Sequence, residues 1–249
     1  MSIYKKMRLD RLLVDQGLAA TRSRAADLIR LGAVSVDGVT AVKPGALLDS
    51  CASLSVISGA SSFVSRGGLK LAAALDAFGL DPKGRIALDI GASTGGFTEV
   101  LLERGGERVF AVDVGRDQLH PKLRDDPRVV VLEGTDARHL NASLIKGPVG
   151  AIVADVSFIS LTKALPAALH LAAPGAWLVA LVKPQFEAGR EAVGKGGIVR
   201  DAEARGKAVA EVRAFIERAP VWEVFAEMPS PILGGSGNEE VLIGARHGA

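Results

Sequence analysis

From Leu69 onward, short apolar runs alternate with amphipathic stretches. The runs are RIALDI (85–90), RVFAV (108–112), RVVVL (128–132), AIVADV (151–156) and WLVALV (177–182), followed by VWEVFA (221–226) and EVLIGA (240–245). Runs this short, and rich in Val and Ile, predict strands rather than helices. Between the last two groups, AEARGKAVAEVRAFIERA (202–219) places apolar residues at helical spacing. Such alternation predicts an α/β fold with a mostly parallel sheet, helices on both faces, and ligands at the C-terminal ends of the strands. The most apolar window, ALPAALHLAAPGAWLVALV (164–182), has the length of a bilayer span. Pro166, His170 and the Pro174–Gly175 pair divide it into a helix, a turn and a buried strand.

Residues 7–57 follow a different pattern. RLDRLLVDQG predicts a helix that stops at Gly17, and Thr21 caps a second helix, RSRAADLIRLG, that ends at Gly32. AVSVDGVTAV predicts a hairpin turning at Asp37–Gly38, and LSVI closes a small sheet. This gives a small α+β domain over 1–60, a Ser/Gly-rich linker over 61–68 and a larger domain over 69–249.

Charge separates the same two parts. Residues 1–66 hold nine Lys/Arg against five Asp, whereas the whole chain is only +2. The basic part is therefore the candidate for a polyanion partner. A single cysteine, Cys51, excludes an internal disulfide, suits a reducing cytoplasm, and reads as a small buried hydrophobe. Its distance from the glycine loop also argues against base C5 methylation, which needs a cysteine nucleophile. The N-terminus, MSIYKKMRLDRLLVDQG, lacks the apolar core of a secretory signal, so no membrane is expected. His120, His139, His170 and His247 are scattered, and no metal is expected.

LDIGASTGGFTEVLL (88–102) carries the chemistry of the larger domain. A strand enters a glycine loop and leaves as a helix, so backbone N–H groups can meet a ligand. The pattern is not the G-x-G-x-x-G of nicotinamide enzymes, and Asp89 precedes it. A carboxylate there would repel a pyrophosphate but suits an ammonium or a sulfonium, and S-adenosylmethionine has both. The expected cofactor residues are Asp89, Gly91, Ser93, Gly95, Gly96 and Phe97. Asp113 is added for the ribose, Asp136 near the adenine, and Asp155.

Four ionisable residues complete the candidate site: Lys70 in SRGGLKL, Asp155 in VADVSF, Lys183 in LVKPQFE and Glu240 in GNEEVL. Singly, each could be an ordinary polar residue of a helix or strand end. Together they suit methylation of a ribose 2′-hydroxyl, a poor acid whose proton must leave as the methyl arrives. A lysine serves as base if burial and a second ammonium favour its neutral form. Lys183 is the expected base, Lys70 the second ammonium, and Asp155 and Glu240 orient the pair. Glu239 also stands beside Glu240, and the E-V register favours Glu240.

These motifs resemble known families. SRGGLKL, LDIGASTGGFTEVLL, DVGRDQL, ADVSFISL, LVKPQFE and SGNEE resemble the K-D-K-E tetrad and cofactor motifs of the FtsJ-like ribose 2′-O-methyltransferases. Residues 7–57, through Arg8-Leu9-Asp10, Gly17, Ser23-Arg24, Gly32, Val36-Asp37-Gly38 and Lys43-Pro44, resemble the alpha-L RNA-binding motif. The whole chain is similar to the TlyA family of ribosomal RNA methyltransferases, also called hemolysins. The resemblance implies a class I (Rossmann-like) methyltransferase with a seven-stranded sheet, and S-adenosylmethionine as cofactor. It implies 2′-O-methylation of a cytidine in ribosomal RNA, and Arg8, Arg11, Arg22, Arg24 and Lys43 on an RNA-facing surface. Ribosomal RNA or a ribosomal subunit would be the partner; no oligomeric state follows. The short stretch after Glu240 resembles the form acting on large-subunit RNA only. The alternatives are an RNA-binding protein or a cytolysin without methyltransferase activity, and a base N-methyltransferase, whose D-P-P-Y prolines DVSF lacks.

Overall fold

The computed structural model describes residues 6–30, 32–41, 43–56, 63–234 and 237–248. The 60/61 boundary expected from the sequence, and Ser236 of the SGNEE motif, lie outside them.

The N-terminal part comprises β1 (Lys6–Arg8), α1 (Leu9–Asp15), α2 (Arg22–Arg30), β2 (Val34–Val36), β3 (Val39–Thr40), β4 (Leu47–Asp49) and β5 (Leu54–Val56). Gly17 and Gly32 follow the two helices at φ +73° and +71°, a backbone region that glycine enters without cost. Thr21 Oγ1 accepts the Arg24 N–H at 3.2 Å, as an N-cap should. The β2–β3 hairpin turns through Asp37 and Gly38, both at positive φ. β5 pairs with β2, while β1 and β4 form a separate two-stranded ribbon that the apolar pattern does not show. Leu9, Leu13, Leu28, Ile29 and Val34 form the core, which reaches Leu69 and Ile232 of the larger part. Cys51 is exposed, against expectation. It sits in a turn between two edge strands, where no core is available to bury it.

The larger part runs through α3 (Arg66–Phe78), β6 (Ile86–Ile90), α4 (Gly96–Glu103), β7 (Arg108–Asp113), α5 (Pro121–Arg124) and β8 (Val129–Glu133). It continues through β9 (Val149–Ala154), α6 (Leu161–Ala164), α7 (Pro166–His170), β10 (Ala172–Val182), α8 (Pro184–Glu187), α9 (Ala202–Arg218), β11 (Trp222–Pro229) and β12 (Val241–His247). Residues 66–68, assigned to the linker from sequence, are the first turn of α3. The Ser65 side chain accepts the Gly67 N–H there at 3.3 Å.

One seven-stranded sheet has the order β11-β12-β10-β9-β6-β7-β8. β12 pairs antiparallel with both neighbours, and the other pairings are parallel. Alternate residues feed opposite faces, as the pleat requires. Leu88, Ile152, Leu178 and Ala180 meet α6, α7 and α9, while Ala87, Val153, Val179 and Leu181 meet α3 and α4. Pro174–Gly175, expected as a turn, instead lies inside β10, where the register with β9 shifts between Ala172 and Trp177. A bulge absorbs the missing proline N–H without ending the strand.

Candidate functional site

β6 ends at Ile90 and the chain turns at Gly91, at φ +82°, before entering α4. A Cβ on Gly91 would stand 2.5 Å from the Asp155 carbonyl oxygen, so only glycine lets the loop lie against the end of β9. Gly95, at φ +96°, faces the Leu119 and Leu123 side chains, which a Cβ would strike. Its role is to seat the loop on the α5 region, and it lines neither cavity described below.

Two adjoining cavities open at the C-terminal edge of the sheet. One, of about 270 Å³, is lined by Lys70, Asp155, Lys183 and Glu240, with Gly91, Ser93, Gly96 and Phe97 on its other side. The structure thus gathers the tetrad against the glycine loop from four elements. Lys70 comes from α3, Asp155 follows β9, Lys183 follows β10 and Glu240 precedes β12. Pro184 opens α8 directly after Lys183, which stops β10 there.

The four charges form two pairs. Lys70 Nζ donates to Glu240 Oε2 at 2.5 Å, and both side chains are almost fully buried. Lys183 Nζ lies 2.6 Å from Asp155 Oδ1 and donates to Ser157 Oγ at 2.9 Å. Each lysine therefore has its own carboxylate. Glu239 turns outward to Arg205 at 2.9 Å, so Glu240 is the glutamate that faces the cavity.

The second cavity, about 600 Å³, shares Gly91, Ser93 and Asp155 with the first and reaches Asp113 and Asp136. Asp113 accepts the Ser93 N–H at 2.9 Å and the Gly115 N–H at 2.7 Å. These bonds fix the carboxylate at the rim and leave further lone pairs for hydroxyl donors. Asp136 is paired with Arg138, whose hydrogen bonds hold it down to about 2.

Asp89 departs from its expected place. It is wholly buried, lines neither cavity, and accepts Thr98 Oγ1 at 2.6 Å. Burial pushes its carboxyl up to about 7, with Asp155 and Asp113 adding to the rise. On the odd-numbered face of β6 it points under the loop to α4 rather than over it. Its hydrogen bond to Thr98 links the end of β6 to α4 beneath the glycine loop.

Several residues at the site were not anticipated. Ser65, Arg66 and Ser157 line the tetrad cavity; SRGG and DVSF had marked their motifs but not these side chains. Buried Glu99 accepts the Val64 N–H at 2.5 Å and the Lys122 ammonium at 3.0 Å, which ties the start of α3 to α4. Phe158 is 92% exposed, at φ +65°, with its ring 5.1 Å from Phe186. No pattern of hydrophobicity signals an aromatic that faces solvent.

On the N-terminal part, Arg8, Arg11, Arg22 and Lys43 are exposed and Arg24 is half-buried. Arg8 and Arg22 converge on buried Asp10, at 2.7 and 3.2 Å. The Arg8 hydrogen bond, chiefly, lowers the Asp10 carboxyl to about 2. Among the described residues no His/Cys/Asp/Glu group could hold a metal ion, and no helix is long and apolar enough to cross a membrane.

A doubly wound sheet, a glycine loop and a lysine–carboxylate cavity at the strand ends define a Rossmann-like methyltransferase carrying a small basic domain in front. The chain belongs to the FtsJ-like methyltransferase family, whose model matches residues 63–247, and an S4 domain precedes it at 7–52. It is 47% identical to the 16S/23S rRNA (cytidine-2′-O)-methyltransferase TlyA of Mycobacterium tuberculosis, over 97% of this chain and 90% of that protein. It is 37% identical to the 23S rRNA (cytidine-2′-O)-methyltransferase TlyA of Campylobacter jejuni, over 72% of this chain and 68% of that one. A solved structure of a candidate hemolysin from Streptococcus thermophilus superposes with a TM-score of 0.73 at 41% identity, covering 99% of this chain and 90% of that one. Membership in a methyltransferase family implies the use of S-adenosylmethionine.

Proposed function

We propose that this protein methylates the 2′-hydroxyl of a cytidine in large-subunit ribosomal RNA, in the cytoplasm, with S-adenosylmethionine as methyl donor. The observation that carries the reading is the tetrad: two lysine–carboxylate pairs line one cavity that also borders the glycine loop. Both TlyA relatives are named for 23S rRNA, the substrate class their names share.

The residues present fit that cofactor. Gly91 lines both cavities, and Asp113 can accept from ribose hydroxyls. Asp136 and the apolar wall around Ile159 suit an adenine. Once bound, the sulfonium supplies an activated methyl group. Lys183 Nζ takes the hydroxyl proton while Asp155 and Ser157 fix its position. Lys70, held by Glu240, is a second ammonium lining the same cavity. Exposed Phe158 offers a face on which the base of the target nucleotide stacks. The S4 domain, through Arg8, Arg11, Arg22, Arg24 and Lys43, binds the RNA backbone. The division into 1–60, a linker and a catalytic remainder is part of the same proposal.

Single-turnover methylation of unmodified large subunits tests it. Lys183→Ala should lower the rate by roughly 10²-fold or more while leaving cofactor affinity near normal. Lys183→Arg should not rescue, because a guanidinium does not deprotonate in this range. Near-normal turnover by the arginine variant would show that another group is the base.

A further inference from the structure

A separate groove of about 730 Å³ opens beyond Lys183, between the loop after β9 and the segment after α8. Three cations line it, Arg138, Lys163 and Arg190, and no carboxylate does. Lys163 and Arg190 are exposed and enter no ion pair among the described residues. Arg138 remains half-exposed although it pairs with Asp136. Phe158 and Phe186 pack on each other in the same groove, and Ser157, next to Phe158, lines the tetrad cavity. The walls are built rather than loose. Glu187 accepts Ser160 Oγ at 2.6 Å and the Leu161 N–H at 2.8 Å, which joins the two segments, and the Glu191 carboxylate lies against Gly189 at the groove's edge. Phe158 and Arg138 also border the larger cavity at the glycine loop, so groove and site are continuous.

We propose that this groove holds the sugar–phosphate backbone of the RNA strand next to the reacting nucleotide. The proposal rests on the reading of the chain as an RNA 2′-O-methyltransferase. Clustered Lys and Arg, two of them outside any ion pair among the described residues, match a polyanion, and the exposed Phe158 ring among them matches an unpaired base. Contacts to phosphate position a strand without reading its sequence. The S4 domain packs on α3 through Leu69, on the side of the tetrad where Lys70 stands. The groove lies past Lys183, on the side of α8. A strand gripped on both sides is stretched across the tetrad, and its register decides which ribose meets Lys183.

The test is the double charge reversal Lys163→Glu with Arg190→Glu in the full chain, with Lys163→Arg plus Arg190→Lys as the charge-preserving control. The readouts are affinity for unmodified large subunits, for protein-free ribosomal RNA and for a single-stranded oligocytidylate over a range of salt, together with S-adenosylmethionine binding. The reversal should weaken binding to all three nucleic-acid probes at least tenfold. The slope of log affinity against log salt should become shallower by about 0.7 for each lost phosphate contact. Cofactor binding should stay unchanged, and the control should behave as the parent. Unchanged affinity and slope overturn the proposal. So does a loss confined to whole subunits with naked RNA unaffected, because the occupant would then be a ribosomal protein. If the parent protein methylates no ribosomal RNA, the functional reading fails, and the groove stands or falls on the oligocytidylate slope alone.

Discussion

The two parts of the molecule use a buried carboxylate in opposite ways. In the S4 domain, Asp10 is buried while its partners Arg8 and Arg22 keep half or more of their side chains in solvent. In the catalytic domain Glu240 is buried together with its partner Lys70. The first arrangement aims cations outward at fixed angles, at little desolvation cost to them. The second seals a cation inside, where its charge acts at short range in a poorly screened cavity. Recognition of a large polyanion needs the former, and acid–base chemistry on one hydroxyl needs the latter. Exposure of the cation, more than the presence of an ion pair, distinguishes the two places.

The sharpest way to break this contrast is Glu240→Ala. It leaves the Lys70 charge buried without a partner, which should cost about 3–5 kcal/mol of stability. Chemical denaturation would measure the loss, and methylation should fall with it. A loss below about 1 kcal/mol would mean that Lys70 reaches solvent and that the two regions differ less than their burial indicates.

Asp89 gives the next effect. Its carboxyl is raised to about 7 in the folded chain, well above its value when unfolded. The folded state therefore binds the extra proton, and stability contributed by Asp89 is greatest at acid pH and declines as pH rises from about 4 to about 7. Asp89→Asn should flatten that decline by a few kcal/mol at most. Identical pH–stability curves for parent and variant would remove Asp89 as the titrating group.

Asp10 has the opposite sign. Held near 2, it contributes stability that is present above its unfolded range and lost as pH falls towards 2. Asp10→Asn should cost about 1 kcal/mol, discounted for exposed partners, and weaken RNA binding severalfold by freeing Arg8 and Arg22. Unchanged RNA affinity would show that the arginines need no fixed direction. The smallest effect belongs to Lys43→Glu, which should weaken RNA binding and flatten its salt dependence by somewhat under one log unit. Cofactor affinity should stay constant.

Much of this was legible in the sequence because it rests on short-range rules. The alternation of runs set the parallel sheet, Asp37–Gly38 set the hairpin, and Thr21 and Gly17 marked helix ends. The tetrad was found by its place at the ends of runs and by resemblance. What was missed depends on three-dimensional facing. Asp89 has the right type and spacing for a ligand contact, yet the strand's pleat turns it under the loop. Pro174–Gly175 has turn chemistry, yet neighbouring strands hold it in a bulge. Phe158 sits in a loop, and its approach to Lys163 of α6 and Arg190 beyond α8 is one that no periodicity encodes.

The pairing of Lys70 with Glu240 spans 170 residues of chain. β12, which carries Glu240 in, is also wedged between β10 and β11 rather than added at an edge. At synthesis rates of about 5–20 residues per second, Lys70 precedes its partner by roughly ten seconds or more. Until that strand is inserted, the sheet is split and the cavity lacks one wall. The Lys70–Glu240 pair is therefore completed only when the last strand of the sheet is in place.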